Sequence, residues 1–124
     1  MGSEESMDEQ FLKKMEEIVQ KNLHDEFFGV EALSREVGYS RSQIHRKLRA
    51  LTNQSISQFI RKIRLEKALS MLQQKSGTAS EISYLVGFNS PTYFNKCFHD
   101  HYGYPPGKAN LVKSADVSKK QSTS

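Results

Sequence analysis

Apolar positions in this chain come in short clusters spaced by three and four, and a capping signal precedes almost every cluster. Ser6-x-x-Glu9 is a capping box and predicts a first helix with Phe11, Leu12, Met15, Ile18 and Val19 inward. Val30, Leu33 and Val37 form a second, short stripe that stops at Gly38. Ser40-x-x-Gln43 opens a third helix, with Ile44, Leu48 and Leu51 inward. Ser55-x-x-Gln58 opens a long fourth carrying Ile56, Phe59, Ile60, Ile63, Leu69 and Leu72. It runs to about Gln74, roughly 30 Å at 1.5 Å per residue, before Gly77 breaks it. Thr78-x-x-Glu81 opens a fifth with Ile82, Leu85 and Val86, stopped by Gly87. Ser90 and Pro91 supply the N-cap and first-turn proline of a sixth, whose Phe94, Phe98 and Tyr102 point inward until Gly103. Strand signals are lacking, and the pattern predicts an all-α fold.

The chain also contains itself twice. Leu33-Ser34-Arg35-Glu36-Val37-Gly38-Tyr39-Ser40 lies over Ile82-Ser83-Tyr84-Leu85-Val86-Gly87-Phe88-Asn89. After one extra residue in the second copy, Ile44-x-Arg46-x-Leu48 matches Phe94-x-Lys96-x-Phe98, and Asn53 falls opposite Gly103. Each copy reads as short helix, glycine turn, longer helix, the outline of a helix-turn-helix. The tight turn explains Gly38 and Gly87, because positive φ is cheap only for glycine. Close helix crossing explains the small Ser34 and Ser83, and Tyr39 and Phe88 are placed to plug the corners. The outward positions are Ser42, His45, Arg46 and Arg49 in the first copy and Thr92, Asn95, Lys96 and His99 in the second, all able to hydrogen-bond. One such hairpin alone is commonplace in helical bundles. Two of them, joined by a stiff helix whose length approaches the roughly 34–36 Å of one duplex turn, point to a reader of double-stranded DNA.

Charge sharpens this picture. The net charge of +4 in 124 residues conceals three basic against eight acidic residues in 1–29, and fifteen against six in the remainder. The segment 41–67 holds Arg41, Arg46, Lys47, Arg49, Arg61, Lys62, Arg64 and Lys67 against Glu66 alone. A basic body suits a polyanion partner, while the acidic lead-in is either a contact surface or a solvated helix face. Arginine can grip guanine O6 and N7, and asparagine can do the same for adenine. Arg41, Arg49, His99 and Lys96, with the helix N-termini at Ser40 and Ser90, are the expected phosphate contacts.

Other chemistry finds less support. Cys97-x-His99-x-His101 brings at most two ligands together, so no metal or other cofactor is expected, and a single cysteine forms no internal disulfide. No phosphate loop, nucleophile elbow or zincin motif is present, and Asp100 and its flanking histidines point apart, so an enzyme is not expected. A helical protein-interaction module is the main rival, separable because DNA binding weakens steeply with salt. The longest apolar runs are three or four residues and no secretory leader opens the chain, so a cytoplasmic, nucleoid-associated protein without membrane contact is expected. Met1-Gly2-Ser3 looks like a vector remnant.

Residues 11–106 resemble the DNA-binding domain of the AraC/XylS family of bacterial transcription regulators. The matching elements are Leu33-Ser34-x-x-Val37-Gly38-Tyr39-Ser40, Arg46-x-Leu48 and Phe59-Ile60-x-x-Ile63-Arg64-Leu65 with Ala68 and Leu72. The most specific element is Ile82-x-x-Leu85-Val86-Gly87-Phe88-Asn89-Ser90-Pro91-x-Tyr93-Phe94-x-Lys96-x-Phe98, closed by Gly103-x-Pro105-Pro106. The resemblance implies about seven helices: two helix-turn-helix units joined by a long linker helix, a homeodomain-like pair. It implies base contacts from Ser42, His45, Arg46, Thr92, Asn95 and Lys96 in adjacent major-groove segments, and contact with RNA polymerase. The expected organisation is a tail over 1–7, a domain over 8–110 with units at about 30–52 and 78–102 around a linker at about 55–75, and a flexible tail over 111–124. A short seventh helix is expected, because Ala109 and Asn110 stand where the family carries an aromatic-arginine pair. The chain is read as an activator or as the output domain of a response regulator or hybrid two-component sensor, with a sensing or receiver domain elsewhere.

Overall fold

The computed structural model describes residues 6–111; residues 1–5 and 112–124, most of the two expected tails, lie outside them. Six α-helices follow one another: α1 (Met7–Lys21), α2 (Val30–Val37), α3 (Arg41–Thr52), α4 (Ile56–Gln73), α5 (Ala79–Leu85) and α6 (Pro91–Tyr102). A 3-10 turn over Pro106–Leu111 stands in place of the short seventh helix, and no strand occurs among the described residues. Ser6 and Met7, which fall within the expected 1–7 tail, are the cap and the first residue of α1.

Local chemistry sets most of the boundaries. Ser6, Ser40 and Thr78 each accept a backbone N–H from the residue three further on, whose side chain accepts in return. Ser55 and Gln58 make the same reciprocal pair at the start of α4, at 3.1 and 2.9 Å. Each such cap satisfies donors that the helix cannot, and contributes about 1 kcal/mol.

The contacts divide the chain into two compact units, with the boundary between Ile63 and Arg64 inside α4. The first unit buries Phe11, Met15, Ile18 and Val19 of α1 against Leu33, Val37, Ile44, Leu48 and the first half of α4. The second buries Leu65, Ala68 and Leu72 with Ile82, Val86, Phe88, Phe94, Phe98 and Tyr102. Its centre is a run of rings: Phe88 to Phe94 at 5.1 Å, Phe94 to Phe98 at 5.7 Å, and Phe98 to Tyr102 at 4.7 Å between centroids. Burial pushes the Tyr102 phenol well above the usual tyrosine range, and the Glu66 carboxylate adds to the effect.

Several inward assignments are corrected. Leu51 and Leu85 are 36% and 53% exposed, because each lies in the last turn of its helix with no core element opposite. Val86 is buried but has left α5, occupying its C-cap. Tyr39 does not plug its corner: it stays partly exposed and meets Phe11 of α1 edge-on at 5.6 Å. In α4 the buried positions change register after Ile63, so Leu65 and Ala68 are inside while Leu69 is half-buried.

Helix α4 stops at Gln73, close to the expected Gln74, but the left-handed turn that ends it falls on Lys75 at φ 56° and not on Gly77. Ser76 N–H donates to the Met71 carbonyl at 2.9 Å and Lys75 N–H to Leu72 at 3.1 Å, the paired bonds of a Schellman stop. A lysine there bears the left-handed penalty that glycine avoids. Lys75→Gly is therefore expected to stabilise the second unit by about 1 kcal/mol, read as a higher urea midpoint at an unchanged slope.

Candidate nucleic-acid interface

The duplicated sequence folds into duplicated geometry. Gly38 and Gly87 both turn left-handed, at φ 82° and 94°. A Cβ at Gly38 would meet nothing within 4 Å, so backbone conformation alone calls for glycine there. The second helices also end alike. Asn53 at φ 58° donates to the Arg49 carbonyl, and Gly103 at φ 85° donates to the His99 carbonyl. The copies differ in their turns: Gly38 N–H bonds back to Ser34, whereas Gly87 and Phe88 bond to Tyr84 and Ser83. Ser83 is fully buried and its hydroxyl donates to the Ser80 carbonyl at 2.6 Å. Ser34 Oγ is buried with no hydrogen-bond partner among the described residues, so its small size is what the crossing uses.

On α3, Ile44 and Leu48 face the core, which turns Arg41, Ser42, His45, Arg46 and Arg49 to solvent. Arg41, Ser42, His45 and Arg46 line one open groove of about 500 Å³, together with Val30, Ser55, Ile56 and Ser57. The sequence marks Ser55 only as a helix cap and does not mark Ser57, because their nearness to α3 depends on the chain turning back at Asn53. Ser40 accepts from Gln43 N–H at 3.2 Å and keeps its own O–H as a donor. Arg49 reaches back to the Asn53 carbonyl at 3.2 Å, which steadies the end of α3.

On α6, Phe94, Phe98 and Tyr102 are buried and Thr92, Asn95, Lys96 and His99 are exposed. Ser90 is half-buried and accepts from Tyr93 N–H at 3.2 Å. Lys96 is engaged: its Nζ lies 3.0 Å from Asp100 Oδ2. The hydrogen bond to that carboxylate, followed by its charge, raises the lysine pKa.

Two of the eight cations in 41–67 do other work. Lys47 Nζ sits 5.1 Å from the Phe11 ring centre and 5.9 Å from that of Tyr39, tying α3 to α1. Arg64 is buried and donates to the Val86 carbonyl at 2.7 Å, so it belongs to the second core and not to a polyanion surface. Among the described residues no group of three His, Cys, Asp or Glu side chains is placed to hold a metal. Likewise no described helix is long and apolar enough to cross a membrane.

A helix-turn-helix domain profile matches residues 33–110. The chain is 44% identical over 103 residues to a protein named histidine kinase P4 from Formosa agariphila, covering 83% of this chain and 8% of that one. It is 33% identical over 96 residues to the transcriptional regulator GbdR of Pseudomonas aeruginosa, covering 75% of this chain and 26% of the regulator. The chain thus spans a small part of the length of these relatives. The C-terminal domain of AraT, a response regulator from Geobacillus stearothermophilus, superposes with a TM-score of 0.74 at 22% identity, covering 86% of this chain and 88% of that one. That likeness is one of fold. Profile, relatives and fold agree with the twofold geometry, and the chain belongs to the AraC-type helix-turn-helix family of transcription-regulator DNA-binding domains.

Proposed function

We propose that this domain reads a specific duplex by setting α3 and α6 into successive segments of the major groove, and so regulates transcription. The observation that carries this reading is the outward face of α3, where Arg41, His45 and Arg46 share one groove and no acidic residue interrupts α3. Ser42, His45 and Arg46 would touch bases in the first segment, and Thr92, Asn95 and Lys96 in the second. Ser40, Arg41, Arg49, Ser90 and His99 would hold phosphates, and these cationic contacts would carry most of the affinity. Because α3 is the more basic helix, the first unit would supply the larger share of binding energy.

The test is selection of bound sequences from random duplexes, repeated with Arg46→Ala and Lys96→Ala. The expected outcome is two short sub-sites about one helical turn apart, each degraded by one variant. Arg46→Ala should weaken the selected site by about 1–3 kcal/mol and random DNA by less; an equal loss on both would make Arg46 a backbone contact. Binding that hardly responds to salt would favour a protein-interaction module instead.

The likeness to a histidine kinase relative supports placing the domain at the output end of a longer signalling chain, in the cytoplasm. Contact with RNA polymerase, also part of this reading, would fall on the exposed Lys62, Glu66 and Lys67 of α4.

A further inference from the structure

The two outward helix faces differ in one respect that their common origin does not explain. In the register of the repeat, Arg46 corresponds to Lys96, and Ala50 therefore to Asp100. Helix α3 carries four arginines and lysines and no acid, whereas the single lysine of α6 is paired with its own carboxylate.

Folding does not account for Asp100. Both partners are largely exposed, at 71% and 64% of their side chains, where an ion pair adds little. Lysine preceding the acid by four residues is the weaker order on a helix. The carboxylate also lies in the last turn of α6, two residues before Tyr102, where the helix dipole opposes a negative charge. An acid that breaks a local rule without a compensating contact to the core points to a role outside the fold.

We propose that Asp100 is a specificity-determining residue: it holds Lys96 in an ion pair on the outward face of α6 and withholds that cation from any duplex that fails to offer a better acceptor. The inference rests on α6 being a DNA-reading helix. On a non-cognate duplex that lacks guanine at this position, Lys96 meets phosphates or single base-edge acceptors, so it would exchange a close anion for no better partner while the released carboxylate faces a polyanion. On the cognate duplex, guanine O6 and N7 offer two convergent acceptors at a base edge. The carboxylate thus penalises random DNA more than the selected site. Among the described residues no carboxylate restrains Arg46 in this way, so the first unit grips and the second discriminates.

The experiment measures binding of the wild type, Asp100→Asn, Lys96→Ala and the double variant to the selected duplex and to a random one, across a salt series. Asp100→Asn should tighten random DNA about 3- to 10-fold at 0.1 M salt and leave the selected duplex within about twofold. Its log–log salt slope on random DNA should steepen by about 0.9, the mark of one added phosphate contact. In the Lys96→Ala background that steepening should vanish, which a merely structural role for Asp100 would not produce. Equal tightening on both duplexes would overturn the proposal, as would steepening that survives without Lys96. Selective loss on the selected duplex would also overturn it, making Asp100 itself a base contact. A wild type that binds neither duplex would remove the DNA reading altogether, whereas a discriminating wild type with an inert Asp100→Asn removes this proposal alone.

Discussion

Phe98→Ala should destabilise the second unit by about 3–5 kcal/mol, the usual result of emptying a fully buried phenylalanine site. Phe98 has no exposed surface, and the rings of Phe94, Tyr102 and Tyr104 lie 5.7, 4.7 and 5.8 Å from it. Phe94 and Tyr102 are one helical turn away on the same helix, so α6 cannot collapse into the space without losing its own turns. Small domains hold only about 5–15 kcal/mol in total, so this loss takes a large share. The chain has no tryptophan and five tyrosines, four of them (Tyr84, Tyr93, Tyr102 and Tyr104) in the second unit. Tyrosine fluorescence during urea unfolding therefore follows that unit. A loss below about 1 kcal/mol would mean the rings repack, contrary to the close-packed core described above.

Arg64→Ala should cost about 2–4 kcal/mol, measured on the same curve. Two consequences add. A charge-assisted hydrogen bond of 2.7 Å disappears, and the Val86 carbonyl at the end of α5 loses that donor in a dry place. Arg64→Lys should recover only part of the loss, because an ammonium on a thinner stem lacks the planar fork that fills the site. An alanine variant as stable as the wild type would show that water reaches Val86. The turn around Gly87 is thus held by a cation from α4, and weakening it should also loosen Thr92, Asn95 and Lys96 at the front of α6.

Much of this fold was legible in the sequence because its determinants are local. A capping box acts over three residues and a glycine stop over five, so Ser6, Ser40, Thr78, Gly38 and Gly103 could be read directly. The repeat added long-range information that a single pattern lacks: the Asn53–Gly103 correspondence, a guess from alignment, turned out to be a shared left-handed cap. Positions decided by distant partners were not legible. Arg64 looks like any surface cation until the Val86 carbonyl, 22 residues on, is brought beside it. Leu51 and Leu85 keep the three-four spacing but run past the end of the surface they would pack on. The left-handed residue Lys75 carries no local signal, since nothing in a lysine marks it for that conformation while Gly77 follows two residues on. Outward-facing positions follow from the buried stripe, so the exposure of Ser42, His45, Arg46, Thr92 and Asn95 was legible. What each one pairs with was not legible, as Arg49, Lys47 and Lys96 show.

The participation of α1 in the first core bears on where the protein can be divided. The family profile begins at residue 33, yet Met15 and Val19 are as thoroughly enclosed as Leu33 itself, and Phe11 lies under Lys47 of α3. A fragment trimmed to the span of that profile would cut α2 and leave the hydrophobic underside of α3 bare to water. The profile marks a shared signature; side-chain contacts mark the part that folds, and here the second also takes in the leading helix and the first turn of α2.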